Sequence, residues 1–528
     1  MIRQGMIVLG ILCAAGMSRA DSNRAYVVKD IMTSPASSQP KELTSLDGIA
    51  YFVATTDEYG AEVWRSDGTA EGTRVLKDID PGLGNTFMRP SGLTRYQGRL
   101  FFSAGSGEYG DELWASDGTE AGTVLVKDIL PGFFGSRPAE FGVVGGLLFF
   151  SANTRELWKS DGTESGTVRV TEIGNSNYSP AIENITDLGG VAHFAMRMGN
   201  GTVRELWRSD GTEAGTYGLT DFVQIGGRGV GTGIDPVALN GLLFFWAEDA
   251  EHGSELWVSD GTAAGTHVLK DIWPGETSAG GRYMIAFGDL LIFDAKAPDT
   301  GRELWVSDGT SEGTRLLVDI YPGGSDGTPN HFTRSGDAVF FSARAPGVYY
   351  ELWKTDGTAE GTVLVSDTPS IDNLTDVAGT LFFSTERSGD LQLWKSDGTE
   401  TGTVFVARLR ADNGRSLFET TAAGESLFFV NDDGQVAEEL WTSDGTETGT
   451  GLVRDIRPGT GAAFVSGLRT VGQTLFFQAR DTEHGSELWK TDGSEPGTVL
   501  VKDIFPGPSS GVRSASAAEL QVHPGKTG

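Results

Sequence analysis

One phrase, Glu-Leu-Trp-x-Ser-Asp-Gly-Thr-x-x-Gly-Thr with small variations, recurs ten times and constrains the fold more than any other feature of the chain. Its tryptophans are Trp64, Trp114, Trp158, Trp207, Trp257, Trp305, Trp353, Trp394, Trp441 and Trp489, so nine intervals cover 425 residues, about 47 each. A unit of that length matches a four-stranded propeller blade, whereas a solenoid with one coil per repeat uses about 20 to 30 residues.

The second copy shows how the unit reads. Ser91–Tyr96 is a short alternating segment, Gln97-Gly98 turns it into Arg99–Ala104, Asp111–Ser116 follows a polar loop, and Gly122–Ile129 completes the set before Pro131-Gly132 stops it. Each piece is rich in β-branched and aromatic residues and is bounded by Gly, Asp or Pro. No stretch keeps an apolar period of 3.6, so helix is not expected. Paired aromatics, Phe101-Phe102, Phe149-Phe150, Phe244-Phe245, Phe340-Phe341, Phe382-Phe383, Phe428-Phe429 and Phe476-Phe477, put one ring on each side of a strand. A sheet covered on both faces by its neighbours is what such pairs suit. The expected fold is therefore all-β, a β-propeller of ten four-stranded repeats over residues 21–508, with a C-terminal strand or tail at 509–528.

Ten units exceed the usual number of about 4 to 8 blades. Two five-bladed rings are thus an alternative to one large ring, and the loops Glu251-His252-Gly253-Ser254-Glu255 and Glu483-His484-Gly485-Ser486-Glu487, five units apart, favour it. No linker or spacing jump divides the chain, which favours one ring. Tyr26–Ile31 is a surplus copy of the fourth strand and Ala517–Val522 resembles a surplus first strand, so pairing of the two termini within one blade is expected to latch the ring.

The ten aspartates before glycine, Asp67, Asp117, Asp161, Asp210, Asp260, Asp308, Asp356, Asp397, Asp444 and Asp492, occur once in every unit. Asp accepts hydrogen bonds from backbone amides just ahead of it, and Gly supplies positive φ, so these residues form a turn rather than ten catalytic sites. By the same reasoning the ten tryptophans pack between blades rather than serve as stacking platforms for sugars.

The phrase resembles that of the bacterial ELWxxDGT repeat proteins, over about residues 26 to 507. Departures are local: Val63 for Leu, Gln392 for Glu, Ser494 for Thr, and Thr355 and Thr491 for Ser. The resemblance implies export and a repeat-built β architecture, and it brings no catalytic residues with it. The turn is also similar to the Asp-box hairpins of sialidase-type and sortilin-type propellers, with different spacing.

Residues 1–20 read as a secretory signal peptide: Arg3, an apolar run from Met6 to Gly16, and Ser18-Arg19-Ala20. The run is shorter than the roughly 20 residues that span a bilayer, and Cys13, the single cysteine, lies within it after Leu12, a context unlike a lipidation site. The mature chain is thus expected to be secreted, monomeric and free of disulfides. The formal net charge of −31 excludes nucleic acid and anionic membrane surfaces as natural partners, and no membrane insertion is expected.

No constellation of known catalytic spacing stands out, and no catalytic residue is assigned. Gly323-Gly324-Ser325-Asp326-Gly327 has the nucleophile-elbow pattern but no helix is expected after it. His193 stands where other units carry the first aromatic of the pair, a core position, and His267 opens a fourth strand as a surface residue. Individual function must reside where units differ, in the loops between second and third strands, which equivalent blades present on one rim. Tyr59, Tyr349, Tyr350, His252 and His484 are the candidate ligand-binding residues there. Asp249, Glu251, Asp481 and Glu483 are the candidate metal ligands, calcium being the ion that oxygen-rich loops hold, and no other cofactor is expected. Two functions follow. The first is a secreted, non-enzymatic binding or scaffold protein presenting its rim to polysaccharide or a surface protein; the alternative is a polysaccharide-active hydrolase or lyase with carboxylates at the central mouth.

Overall fold

The computed structural model describes residues 38–506 apart from 57, 82–88, 174–181, 199–202, 221–223, 226–235, 276, 348–349, 369, 388–389, 411–416, 434–436 and 459–460. The signal segment and both surplus strands lie outside the described residues, as does Tyr349. The described chain is all-β, with no helix, and forms ten antiparallel sheets, each built from consecutive strands in the order first, second, third, fourth. Blade 1 comprises Lys41–Leu46, Ile49–Thr56, Gly60–Ser66 and Arg74–Val75; blade 10 comprises Ser466–Val471, Thr474–Arg480, Ser486–Thr491 and Val499–Lys502. Blade 5 departs from four strands. Two short pieces, Gln224–Ile225 and Val237–Leu239, share the inner edge of Leu242–Asp249.

The ten blades form one ring, so the two-ring alternative is incorrect. First strands of neighbouring blades pack beside one another around the axis, including those of blades 1 and 10. The core is divided into ten apolar clusters, one for each pair of neighbouring blades. The paired aromatics explain this. Phe428 of blade 9 faces blade 10, where it joins Phe477 and Trp489 in one cluster, while Phe429 faces back towards blade 8. Each motif tryptophan lies beneath the second aromatic of its own blade, as Trp257 does under Phe245 with ring centroids 6.4 Å apart. These positions satisfy the packing expectation for the tryptophans.

The turn between third and fourth strands is the same in all ten blades. In blade 2, Asp117 Oδ1 accepts from Thr119 N–H at 2.9 Å and from its hydroxyl at 2.7 Å, while Thr119 Oγ1 accepts from Gly122 N–H at 3.0 Å. Ser116 and Thr123 hydroxyls meet at 2.7 Å across its base. A Cβ at Gly122 would lie 2.1 Å from the Asp117 carboxylate, so only glycine fits there. These aspartates are turn-formers, as their repetition implies.

The first strands of eight blades, all but 5 and 6, carry a bulge near their start. In blade 1 the register shifts between Lys41 and Thr44, with Glu42 at φ +54. The equivalent left-handed residues are Gly92, Glu140, Asn184, His331, Asn373, Glu419 and Gly467. The bulge is architecture, but its occupant differs from blade to blade. Three of the occupants are glutamates that accept an amide across the inter-blade seam: Glu42 from Gly92 N–H, Glu140 from Asn184 N–H and Glu419 from Gly467 N–H.

The ring closes without exchanging a strand among the described residues. In blade 2 the motif glutamate, Glu112, accepts from the N–H groups of Ile129, Leu130 and Ser136 and from the Ser136 hydroxyl, pinning the crossing to blade 3. In blade 10, Glu487 accepts from Ser38 N–H at 2.9 Å, from the Ser38 hydroxyl at 2.5 Å and from Ile504 N–H. Ser38 thus stands where Ser136 stands, although 449 residues separate it from its glutamate. Lys502 Nζ donates to Thr73 O at 2.8 Å, as Lys77 does to Thr123 O.

Candidate functional site

Antiparallel pairing sets the start of each first strand beside the end of the second, so inter-blade crossings and the loops between second and third strands share one rim. The Asp-Gly-Thr turns occupy the other. How full the first rim is depends on the crossing. Asp-Ile-x-Pro-Gly follows the fourth strand of blades 1, 2, 5, 6, 9 and 10, beginning at Asp78, Asp128, Asp271, Asp319, Asp455 and Asp503. In each of these blades the motif glutamate is buried and collects crossing amides, as Glu303 does from Ile320, Tyr321 and Gly327. Blades 3, 4, 7 and 8 lack this sequence.

The crossing from blade 7 to blade 8 is the shortest among the described residues, spanning only 367–370 between Val363–Ser366 and Ile371–Val377. A cavity of about 400 Å³ lies there, lined by Asn330, His331, Ser342, Tyr350, Ser370, Ile371, Asp372, Ser384 and Glu386. Its lining comes from the rim ends of strands in two blades. Asn330 and His331 open the first strand of blade 7, and Ile371 and Asp372 that of blade 8. Ser342 pairs with Asn330, and Ser384 with Asp372, each from its own blade's second strand.

His331 is the bulge residue of blade 7, which aims it across the seam. Its Nδ1 lies 3.6 Å from Asp372 Oδ1, and the two side chains are 40% and 46% exposed. Tyr283 meets the imidazole edge-on at 6.1 Å. Ser342 donates to Asn330 Oδ1; Asn373 Nδ2 donates to Ser384 Oγ at 3.0 Å. The Tyr350 hydroxyl accepts from Thr328 Oγ1 at 3.1 Å, which leaves its own proton to give. Hydroxyls, an amide, an imidazole and carboxylates thus converge on one concavity beside an aromatic ring, the composition of a small-molecule site.

Of the sequence candidates, only Tyr350 lines this cavity. Tyr59 of blade 1 is half-buried and packs edge-on against Trp64 at 6.2 Å. His252 and His484 sit in blades 5 and 10, and the structure does not bring them together. Each folds its own loop: Asp249 Oδ1 accepts from the N–H groups of Glu251 and His252, with His252 Nδ1 2.9 Å from Asp249 Oδ2. Asp481 does the same for Glu483 and His484, with Nδ1 at 2.6 Å. The hydrogen bond that the His252 imidazole gives to the Asp249 carboxylate holds the His252 pKa above its ordinary value. The two aspartates proposed as metal ligands therefore already serve as loop acceptors, and the described residues contain no group of three His, Cys, Asp or Glu side chains that could hold a metal ion. Glu255 and Glu487, at the ends of these loops, are buried crossing glutamates.

His193 is a core residue, 1% exposed, and burial lowers its pKa. His267 is exposed. The Gly323–Gly327 segment is part of the blade 6 crossing, where Gly327 N–H donates to Glu303 and Asp326 Oδ1 accepts from Arg302 N–H, and no helix follows. Sequence reasoning missed Asn330, His331, Asp372, Ser384 and Glu386. The legible signal was the missing Asp-Ile-x-Pro-Gly after Val363–Ser366.

No protein-family model and no curated protein matches the chain. Among solved structures, it is similar to the computationally designed Ika8 protein, at 12% identity over 67% of this chain and 96% of that one, with a TM-score of 0.33. It is also similar to the β-propeller domain of the Trilobed protease from Pyrococcus furiosus, at 12% identity, 61% and 98% coverage and a TM-score of 0.31. Puromycin hydrolase gives 16% identity and a TM-score of 0.31 over 81% of this chain, which spans 62% of that protein's length. Likeness at these scores carries nothing about what the chain binds or does.

Proposed function

We propose that the chain is a secreted, non-enzymatic binding propeller that holds a segment of polysaccharide at the rim between blades 7 and 8. The observation that carries this reading is the cavity of about 400 Å³, where the hydrogen-bonding side chains of Asn330, His331, Ser342, Tyr350, Asp372, Ser384 and Glu386 meet. Such a set matches a ligand that is itself dense in hydroxyl groups, and Tyr283, 39% exposed, offers a ring for a sugar face. The amino-terminal segment with Arg3, the apolar run and Ser18-Arg19-Ala20 supports export, as does the resemblance to the ELWxxDGT repeat proteins. A rigid ring with an acidic surface suits a monomeric extracellular module. The test is a glycan array probed with the mature protein and with Tyr350→Ala. Binding by the parent that falls at least about tenfold in the variant, some 1.4 kcal/mol, supports the reading. No glycan binding by the parent overturns it.

A second reading, a polysaccharide-active enzyme, is favoured by one observation. Asp372 pairs directly with Ser384, and Glu386 lies two residues further on, so the two carboxylates occupy diagonal positions on one face. Diagonal neighbours are about 7 to 8 Å apart, their Cβ atoms somewhat closer, within reach of the roughly 5 to 9 Å separations used for glycosidic cleavage. Release of reducing ends from a bound glycan, abolished in Asp372→Asn and Glu386→Gln alike, would establish it in place of the first.

A further inference from the structure

The positions that define the cavity in blade 8 recur in blade 4 with different charges. Glu183 pairs with Ala195 as Asp372 pairs with Ser384, and Arg197 lies two residues beyond Ala195 as Glu386 lies two beyond Ser384. In blade 4 the diagonal is therefore an ion pair, with Arg197 and Arg204 both on the Glu183 carboxylate. In blade 8 it is two carboxylates. Glu386 has no hydrogen bond or ion pair among the described residues, and Asp372 meets only its neighbouring amide and the more distant His331 imidazole. The corresponding residue of blade 7, Arg344, turns away to lie over Tyr321 at 5.6 Å, so no arginine of that blade completes the charge. The aligned side chains thus differ in one respect that matters to a ligand: a charge that blade 4 neutralises internally is left facing an open, hydroxyl-lined cavity in blade 8.

We infer that the cavity between blades 7 and 8 selects a sugar bearing a free primary ammonium group, a 2-amino-2-deoxy hexose unit, with Asp372 and Glu386 as its anionic partners. The inference rests on the polysaccharide reading above and names its chemistry. Two carboxylates attract an ammonium and repel a uronate. Ser342, Ser384, Asn330 and Tyr350 supply the directional hydrogen bonds that a simple cation does not use. N-acetylation removes the charge and adds bulk, so acetylated units are disfavoured.

The experiment is calorimetric titration of the mature protein with short glucosamine oligomers, N-acetylglucosamine oligomers, glucose oligomers and oligolysine of equal length. Salt of about 0.15 M screens the general acidity of the surface beyond roughly 8 Å. The expected result is at least tenfold tighter binding of the glucosamine oligomer than of the acetylated and neutral ones. That preference should be lost in Glu386→Gln and in Glu386→Arg, the second of which recreates the blade 4 ion pair. Retained melting temperature in Glu386→Arg shows that the loss is not unfolding. Equal binding of acetylated or neutral oligomers overturns the ammonium inference while leaving the polysaccharide reading in place, and absence of binding by every glycan overturns both. Oligolysine binding as tight as glucosamine, or insensitivity to both Glu386 variants, assigns the effect to the surface field and overturns the inference.

Discussion

Blades 1, 2, 5, 6, 9 and 10 differ from blades 3, 4, 7 and 8 in what their motif glutamate does. In the first group it is buried beneath the crossing and accepts the backbone amide 17 residues ahead and, in all but blade 10, the next one too, as Glu62 does from Ile79 and Asp80. The tryptophan Nε1 of these blades finds no hydrogen-bond partner, at Trp64, Trp114, Trp257, Trp305, Trp441 and Trp489 alike. In blades 3, 4 and 8 the carboxylate or its Gln392 substitute turns to the indole instead, at 2.9 Å in Trp158, 3.1 Å in Trp207 and 3.1 Å in Trp394. Blade 7 does neither: Glu351 is buried, with its pKa raised by burial, and Trp353 Nε1 is unpartnered. One acidic side chain thus has two occupations. The one that locks the crossing produces a uniform rim, and the other leaves the rim free to vary. The cavity lies where two blades of the second group meet.

The largest test of this division is truncation of the tryptophans. Trp305, 8% exposed beneath Phe293, should cost about 3–5 kcal/mol on replacement by Ala. Half-buried Trp394 in blade 8 should cost roughly half as much on the same scale. Denaturant midpoints of the two variants measure the difference, and equal losses would mean that both groups pack alike.

Next in size are the glutamates themselves. Glu112→Ala leaves three amides without an acceptor, at about 1–3 kcal/mol for each buried donor, so a loss of roughly 3 kcal/mol or more is expected. Glu156→Ala in blade 3 removes bonds to Asn153, Trp158 and Arg169, the last an exposed partner, from a half-buried group and should cost about 1 kcal/mol. Comparable melting shifts in the two variants would erase the distinction.

The smallest effect is pH dependence, and its sign differs between the groups. Burial pushes Glu62 and Glu487 up to about 8 and Glu255, Glu303 and Glu439 up to about 7. Between the ordinary carboxylate value and these values the folded chain holds more protons than the unfolded one, so stability rises as pH falls from about 8 towards 5. In Glu156 burial acts the same way, but hydrogen bonds from Trp158, Asn153 and Arg169 outweigh it and the pKa ends below its ordinary value. Its contribution is present at every pH above the ordinary carboxylate value, the whole window from 5.5 to 8.5 included, and is lost only as pH falls below that value. Melting temperature should therefore be higher at pH 5.5 than at pH 8.5, Glu303→Gln should narrow the gap, and Glu156→Gln should leave it unchanged. Narrowing by both variants would show that general charge repulsion, not the crossings, sets the profile.

The blade framework was legible because its causes are local. Asp117 answers to Thr119 two residues on, and Phe101 and Phe102 sort themselves to opposite faces by the period of a strand. The role of Glu112 was not, since its donor partners lie 17, 18 and 24 residues away and reach it only once the crossing folds. The single ring was legible in the absence of any linker or spacing jump, and the Glu-His-Gly-Ser loops of blades 5 and 10, which favoured two rings, are two similar loops and not two closures. The cavity was hardest to foresee. His331 and Asp372 stand 41 positions apart in segments that alternate like any first strand, and only the seam between two blades makes them neighbours.

The joint between Ser38 and Glu487 carries a consequence for how such a chain is counted. Here the seam between the tenth and first units uses the same serine-to-glutamate contact as the seam between the second and third. Among the described residues the ring is therefore cyclically indifferent: joining residue 38 to residue 506 and cutting within another glutamate-locked crossing would give a permuted chain with an equivalent set of seams. Nothing in the seam counts to ten. In any closed ring the angles between neighbouring wedges sum to one full turn, so gain or loss of a whole unit would be felt at every inter-blade cluster around the circle and not at any single joint.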